Sequence, residues 1–129
     1  PRLYTPKNGW INWQWQGKDI VKFINSFDEP YVGSSTRYIE NKQKREIIFL
    51  KDVSWQDKNI KFHPFQSGLI INKSKSSIIV ATTDGSIKIQ KVFDQKKRNV
   101  MKNIEIGKRL YSLNSDLELS MTYLPIYND

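Results

Sequence analysis

The chain has 129 residues, which fits one domain with a single modest core, because domains most often contain about 100–150 residues. Apolar residues make up 38% and aromatic residues 12% of the chain, which is enough bulk for a packed core and argues against global disorder. The absence of cysteine excludes disulfides, thiolate metal ligands and cysteine nucleophiles, and it favours a reducing, cytoplasmic setting.

The sequence gives no sign of membrane insertion. No apolar run approaches the roughly 20 residues that span a bilayer, and no charged segment followed by an apolar one marks a secretory leader. The chain begins with Pro1 rather than methionine, so we expect it to be cut or processed from a longer polypeptide.

The first half of the chain predicts an extended arm followed by one helix. Residues 1–16 contain Pro1, Pro6 and Gly9 without a sustained period, which is typical of an interdomain arm or connector. Apolar residues then recur at helical spacing and predict a helix from about Lys18 to Phe27. They are Ile20, Phe23, Ile24 and Phe27. Asp19 lies in the first turn, where the helix dipole favours an anion, and Pro30 ends the segment.

Five short strands follow the helix. They are predicted over residues 35–40, 45–53, 68–72, 77–82 and 86–92, with turns at 41–43, 73–76 and Asp84-Gly85. In the fifth strand Ile87 and Ile89 should face one side, and Ser86, Lys88 and Gln90 the other. Antiparallel strands without alternating helices favour a mainly β domain. The favoured architecture is a small, five-stranded, partly open barrel of OB-like type, and the alternative is a small β-sandwich.

Weak helical patterns mark the C-terminal part of the chain. One surrounds Val100, Met101 and Ile104, and the other surrounds Leu117, Met121 and Leu124. Gly107 is predicted to lie in a turn, as are Asp84 and Gly85, because none of them belongs to a glycine-rich phosphate loop.

Positive charge is concentrated in the middle of the chain. The formal net charge is +8, and residues 42–111 hold 16 Lys and Arg against 6 Asp and Glu. Two clusters are candidates for polyanion contact, because cationic side chains release the counterions of a nucleic acid. The clusters are Lys42, Lys44 and Arg45, and Lys96, Lys97 and Arg98. The alternative is that both clusters are solvated turns without a binding role, because an AT-rich genome also raises the lysine and isoleucine content of a protein.

Aromatic residues near the N-terminus are candidates for domain contact. They are Trp10, Trp13, Trp15 and Tyr31. They could stack on bases or sugars, but packing against the barrel or against a neighbouring domain is the favoured interpretation. The only histidine, His63, has no Ser or Asp arrangement that would make it a general base, and we expect a structural or surface role. No spacing of ligands predicts a metal site, and we identify no catalytic residue in the chain.

Six segments carry a resemblance that runs from Pro1 to about Leu110. They are Pro1-Arg2-Leu3, Gly9-Trp10-Ile11-Asn12-Trp13, Ile24-Asn25-Ser26-Phe27, Pro30-Tyr31-Val32-Gly33-Ser34, His63-Pro64-Phe65-Gln66-Ser67-Gly68-Leu69 and Val80-Ala81-Thr82-Thr83-Asp84-Gly85. In this order they resemble the C-terminal domain of formyltransferases, the family of methionyl-tRNA formyltransferase and its sugar-amine relatives. Each segment alone is weak, and the last twenty residues are not covered.

The resemblance implies a two-domain parent. A Rossmann-like catalytic domain would bind 10-formyltetrahydrofolate and carry the family's catalytic Asn, His and Asp, while residues 17–129 would form the C-terminal barrel. No residue here matches that catalytic motif, so no cofactor site is carried over to this chain. The implied function is accessory: substrate positioning or support of the catalytic domain, without catalysis by this chain alone.

Departures from the family pattern bear on the formyl acceptor. Asn25 and Ser26 replace a common arginine and alanine, Val32 replaces a frequent proline, and Gln16 stands where an N-cap serine or threonine is usual. The resemblance therefore favours a small amine or sugar nucleotide over Met-tRNA. An autonomous nucleic-acid-binding module of OB type, contacting RNA or a nucleotide-linked substrate, is the alternative function, and an oligomerisation module is the third.

Overall fold

Six strands form one antiparallel sheet in the computed structural model, which describes residues 9–26, 33–41, 44–57 and 66–121. The strands are β1 (Ser34–Asn41), β2 (Lys44–Asp57), β3 (Ile70–Lys73), β4 (Ile78–Ala81), β5 (Ser86–Phe93) and β6 (Arg109–Tyr111). Their order across the sheet is β3-β4-β5-β2-β1-β6. Two helices, α1 (Gly17–Ser26) and α2 (Asn114–Met121), and a 3-10 turn at Met101–Asn103 complete the described elements.

The sheet curls into a half-barrel because its two edge strands, β3 and β6, approach each other. Leu110 N–H donates to the Gly68 carbonyl at 2.8 Å, Ile70 N–H to Lys108 at 3.0 Å, and Gly107 N–H to Ile70 at 2.8 Å. These bonds join the start of β3 to the start of β6. The partly open, OB-like barrel is confirmed, and the single sheet of the described residues does not have the two facing sheets of a sandwich.

The predicted strands are present with shifted ends. β2 continues to Asp57, four residues past the predicted end at Val53. Asp52, within the predicted strand, has a φ of +56°. β3 begins at Ile70, two residues later than predicted. The sixth strand was missed because three residues, Arg109–Tyr111, are too few to show alternation.

The core lies between the curled sheet and α1. Ile87 and Ile89 of β5 are fully buried, as their spacing predicted, and Gln90 is exposed. Ser86 is also buried, because it lies where β5 enters the barrel beside the end of β4. From α1, Ile20 and Ile24 are fully buried.

Helix α1 confirms the predicted amphipathic helix, with its limits at Gly17–Ser26; Phe27 and Pro30 lie outside the described residues. Its N-terminus is capped from a distant turn: Gly17 N–H donates to Asp84 Oδ1 at 2.7 Å. Gln16, the predicted poor cap, contributes only its backbone carbonyl to the first turn. A Cβ at Gly17 would lie 1.9 Å from Trp55 Cζ3, so glycine is required where α1 crosses that indole.

The C-terminal patterns correspond to two short elements. The pattern around Val100 and Met101 is the 3-10 turn, and the pattern around Leu117 is α2, while Leu124 lies outside the described residues. Gly107 and Asp84-Gly85 lie in turns, as predicted. None of the helices in the described ranges combines the length and hydropathy needed to cross a bilayer.

Candidate functional site

The N-terminal arm from Gly9 to Gln16 packs onto the sheet. Trp10 forms a parallel bridge with Ser35 of β1, where Ser35 N–H donates to the Gly9 carbonyl at 2.7 Å and Ile11 N–H to the Ser35 carbonyl at 3.1 Å. Ser112 Oγ then donates to the Ile11 carbonyl at 2.6 Å. The arm therefore pairs with β1 at Ser35, on the edge of β1 where β6 pairs with the three residues Arg37, Tyr38 and Ile39.

The three tryptophans of the arm lie in different environments. Trp13 is 4% exposed; its Nε1 donates to Thr36 Oγ1 at 3.0 Å, and its carbonyl accepts a hydrogen bond from Ser67 Oγ. Trp10 is 7% exposed. Trp15 is half-buried and meets the ring of Phe23 edge-on, with centroids 5.1 Å apart. Trp10 and Trp13 thus belong to this domain's own core, Tyr31 lies outside the described residues, and contact with another domain stays a prediction.

Parts of both basic clusters converge on one surface. Four cationic side chains and two carboxylates line a depression of about 360 Å³, which we call the basic depression. They are Arg37, Arg45, Lys96 and Arg98, with Glu46 and Asp94. An adjoining depression of about 370 Å³ shares Glu46, Asp94 and Arg98 and extends the surface to Lys102.

Sheet register brings the two clusters together. β2 pairs Phe49 with Phe93 of β5, so the beginning of β2 and the loop that follows β5 lie at the same end of the sheet. Arg45 and Lys96 are exposed there. Lys97 is also exposed but does not line the depression; Lys42 lies outside the described residues, and only the backbone of Lys44 is described.

Asp94 fixes the loop that carries the second cluster. Its Oδ1 accepts the backbone N–H groups of Lys96 and Arg98, both at 2.9 Å, and its Oδ2 accepts Arg98 Nε at 2.8 Å. Lys97 completes the turn with a φ of +64°. The backbone N–H of Arg98, together with its side chain and the N–H of Lys96, holds the pKa of the Asp94 carboxyl below its ordinary value. The loop therefore presents Lys96 in a defined position.

Arg37 is the most constrained cation of the depression. Its Nε donates to Asp116 Oδ2 at 2.8 Å and its Nη2 to Asp116 Oδ1 at 3.0 Å, a bidentate pair with α2. Its guanidinium carbon lies 5.2 Å from the centre of the Trp10 ring, within the range of a cation–π contact. The hydrogen bond with Asp116 raises the pKa of Arg37, which stays charged.

The described residues offer surface for anions and no grouping suited to a metal. Within these ranges no three His, Cys, Asp or Glu side chains come together as metal ligands. His63 lies outside the described residues. The chemistry that the surface supports is recognition of negatively charged groups, because four cationic side chains outnumber the two carboxylates, Glu46 and Asp94, that line the depression with them.

Sequence reasoning missed three side chains that organise this architecture. Arg37 is isolated from both clusters and its partner Asp116 is 79 residues away, so no local pattern points to either. Asn25, seen only as a departure from the family, donates from Nδ2 to the Val53 carbonyl at 3.1 Å and accepts Val53 N–H at 3.4 Å. These bonds give hydrogen-bond partners to the backbone N–H and carbonyl of Val53, which lies beyond Leu50, where the pairing of β2 with β1 stops.

A curled, six-stranded antiparallel half-barrel with a basic surface and a tightly packed N-terminal arm defines the chain as a small β-barrel domain of OB type. Its sequence matches the family described as formyl transferase, C-terminal domain, over residues 4–109, and the chain belongs to that family. A search of curated proteins finds no match. The predicted family is confirmed.

Proposed function

We propose that this chain is the accessory C-terminal domain of a formyltransferase that moves a formyl group from 10-formyltetrahydrofolate to an amine acceptor. The family match over residues 4–109 is the observation that carries the proposal. A Rossmann-like catalytic domain of the same polypeptide is the partner, and it supplies the folate site and the catalytic residues. The C-terminal domain positions substrate or supports the catalytic domain and is inactive alone. The absence of cysteine supports a cytoplasmic location.

A small amine or a sugar nucleotide is the proposed acceptor, in preference to Met-tRNA. Asn25 supports this preference, because its amide is engaged with the Val53 backbone at the position where tRNA-specific relatives commonly carry an arginine. A side chain committed to β2 is not free to contact a phosphate group.

A comparison of two formyl acceptors tests this proposal. Formyl transfer from 10-formyltetrahydrofolate is measured with the longer protein and with the isolated chain, using an amino-sugar nucleotide and methionyl-tRNA as acceptors. We expect the longer protein to use the amino-sugar nucleotide and the isolated chain to be inert. Faster formylation of methionyl-tRNA would contradict the acceptor, and activity of the isolated chain would contradict the accessory role.

Contact between the domains has its own readout at Trp15. Trp15 is the half-buried tryptophan of the arm, whereas Trp10 and Trp13 are already covered within this domain. The part of the acrylamide quenching that is lost in Trp15→Phe reports Trp15. This part should be stronger in the isolated chain than in the longer protein. Equal quenching in both would exclude Trp15 from the domain interface.

Binding of phosphate groups, as in a nucleic acid or a nucleotide-linked substrate, is a second candidate function. The observation that favours it is the convergence of Arg45, Lys96 and Arg98 around one depression. Titration with single-stranded RNA at two salt concentrations should show binding that weakens steeply as salt rises. Replacing Arg45 and Lys96 with alanine should weaken it, whereas Lys75→Ala, in the exposed turn between β3 and β4, should leave it unchanged.

A further inference from the structure

We propose that Arg37 is an anion-binding residue of the basic depression and that Asp116 of α2 keeps it closed by occupying its guanidinium. This inference rests on the second candidate function, the binding of phosphate groups, to which it adds an inner residue and a means of regulation. Docked α2 corresponds to the closed state of Arg37, and displaced α2 to the open state.

The carboxylate of Asp116 stands where a phosphate would bind. Arg37 lines the same depression as Arg45, Lys96 and Arg98, yet its Nε and Nη2 atoms both donate to Asp116. Arginine uses this same pair of parallel donors to hold phosphate oxygens. The Asp116 carboxylate and a phosphate group therefore cannot bind that side of the Arg37 guanidinium at the same time.

Over residues 114–118, the buried polar contact of helix α2 with β1 is this ion pair. Among these residues Asp116 is the buried side chain, Leu117 is half-buried, and Asn114, Ser115 and Glu118 are exposed. Leu113, which precedes the helix, is 40% exposed. Apolar burial therefore contributes little over this part of the helix, and a competing anion would replace the contact that Asp116 makes with Arg37.

Arg37 would remain in place after Asp116 leaves. The Trp10 ring, 5.2 Å from its guanidinium carbon, positions the group independently of α2. A phosphate-bearing ligand is attracted by Arg45, Lys96 and Arg98 as well, so it gains contacts that Asp116 lacks. By linkage, a ligand that displaces α2 must bind more tightly when α2 is already released.

The test compares two variants with the same change of charge on the same helix. Inorganic triphosphate is titrated at low salt into the full chain carrying no change, Asp116→Asn or Glu118→Gln. Asp116→Asn should bind at least about fivefold more tightly than the unchanged chain, within the usual range of coupling between sites. Glu118→Gln should match the unchanged chain, because the bidentate pair with Arg37 is made by Asp116.

A third variant and a structural readout assign the effect to Arg37. Adding Arg37→Lys to Asp116→Asn keeps the charge but removes the two parallel donors, and it should abolish the gain in affinity. In the unchanged chain, triphosphate should accelerate hydrogen exchange of the α2 amides. Protection of α2 that is unaffected by bound triphosphate would overturn the displacement of the helix.

The outcomes separate this inference from the function on which it rests. Binding by the unchanged chain with equal affinities for the two charge variants would overturn the role of Asp116 and leave phosphate binding intact. No binding by any variant would overturn both. Repeating the titration with oligouridylate identifies the source of the phosphate: a gain shared by both probes indicates nucleic acid, and a gain for triphosphate alone indicates a small phosphorylated ligand.

Discussion

Closure of the half-barrel depends on Gly68, and substituting it tests this architecture directly. Gly68 has a φ of +93°, and a Cβ there would lie 2.2 Å from the carbonyl oxygen of Leu110. That oxygen belongs to the backbone of β6, so it cannot turn aside as a side chain would. In Gly68→Ala the strand itself must move away from the start of β3.

The expected loss combines two effects. An L-residue in the left-handed region costs roughly 1–2 kcal/mol. Moving β6 also weakens the bonds from Leu110 N–H to Gly68 and from Ile70 N–H to Lys108, which contribute about 1 kcal/mol each. Gly68→Ala should therefore lower the free energy of unfolding by about 2–4 kcal/mol, within the roughly 5–15 kcal/mol typical of a domain.

Gly107→Ala is the matched control. Gly107 has a φ of +87°, close to that of Gly68, but a Cβ added there would meet no atom within 4 Å, so only the conformational cost of about 1–2 kcal/mol applies. Urea unfolding of both variants gives the difference, and hydrogen exchange of the Leu110 amide reports closure locally. Equal losses, or full protection of the Leu110 amide in Gly68→Ala, would refute the reasoning.

Three further predictions concern the contacts that hold the helices. Asp84→Ala should lower the free energy of unfolding by about 1 kcal/mol in urea, because α1 loses its capping carboxylate. Asn25→Ala should lower it by about 1–2 kcal/mol, because both backbone groups of Val53 lose a partner. Burial raises the pKa of Asp116, but hydrogen bonds, chiefly from Arg37, outweigh it and the pKa lies below its ordinary value. The resulting stability is present above the ordinary pKa and is lost as pH falls through the lowered one, which acid unfolding of the unchanged chain and Asp116→Asn measures.

Each of these has a control in the chain. Asp84→Asn keeps an oxygen that can accept Gly17 N–H and should lose less stability than Asp84→Ala. Ser26→Ala removes an exposed hydroxyl that donates to the Lys22 carbonyl and should change little, so a loss equal to that of Asn25→Ala would contradict the bond to β2. Parallel acid-unfolding curves for the unchanged chain and Asp116→Asn would contradict the pH prediction.

Most of the fold could be predicted because burial leaves a periodic signal. Ile20 and Ile24 recur at helical spacing and are fully buried in α1, and Ile87 and Ile89 alternate along β5 and are fully buried in the sheet. The signal fails where an element is too short to repeat, as in β6. It also fails at the end of β2, which continues to Asp57, past the predicted end at Val53.

The candidate site could be predicted only in its separate parts. Composition identified Arg45 and the cluster at Lys96 as basic, but their meeting depends on the register of β2 against β5, which charge does not reveal. The pairing of Arg37 with Asp116 depends on the return of the chain through β6 to α2. Long-range geometry of this kind is fixed by packing, so no local spacing reports it.

The tryptophan arm and the basic depression share Arg37, and this connection predicts an effect of Trp10 on anion binding. In an Asp116→Asn background, Trp10→Leu should weaken triphosphate binding about two- to fivefold relative to Trp10→Phe, because a cation–π contact contributes about 0.5–1 kcal/mol. Leucine and phenylalanine both leave an apolar side chain in the core, so the comparison isolates the aromatic face. The same exchange at Trp15, which contacts Phe23 and not Arg37, should leave affinity unchanged. Equal affinities for the two Trp10 variants would show that the ring does not position the guanidinium.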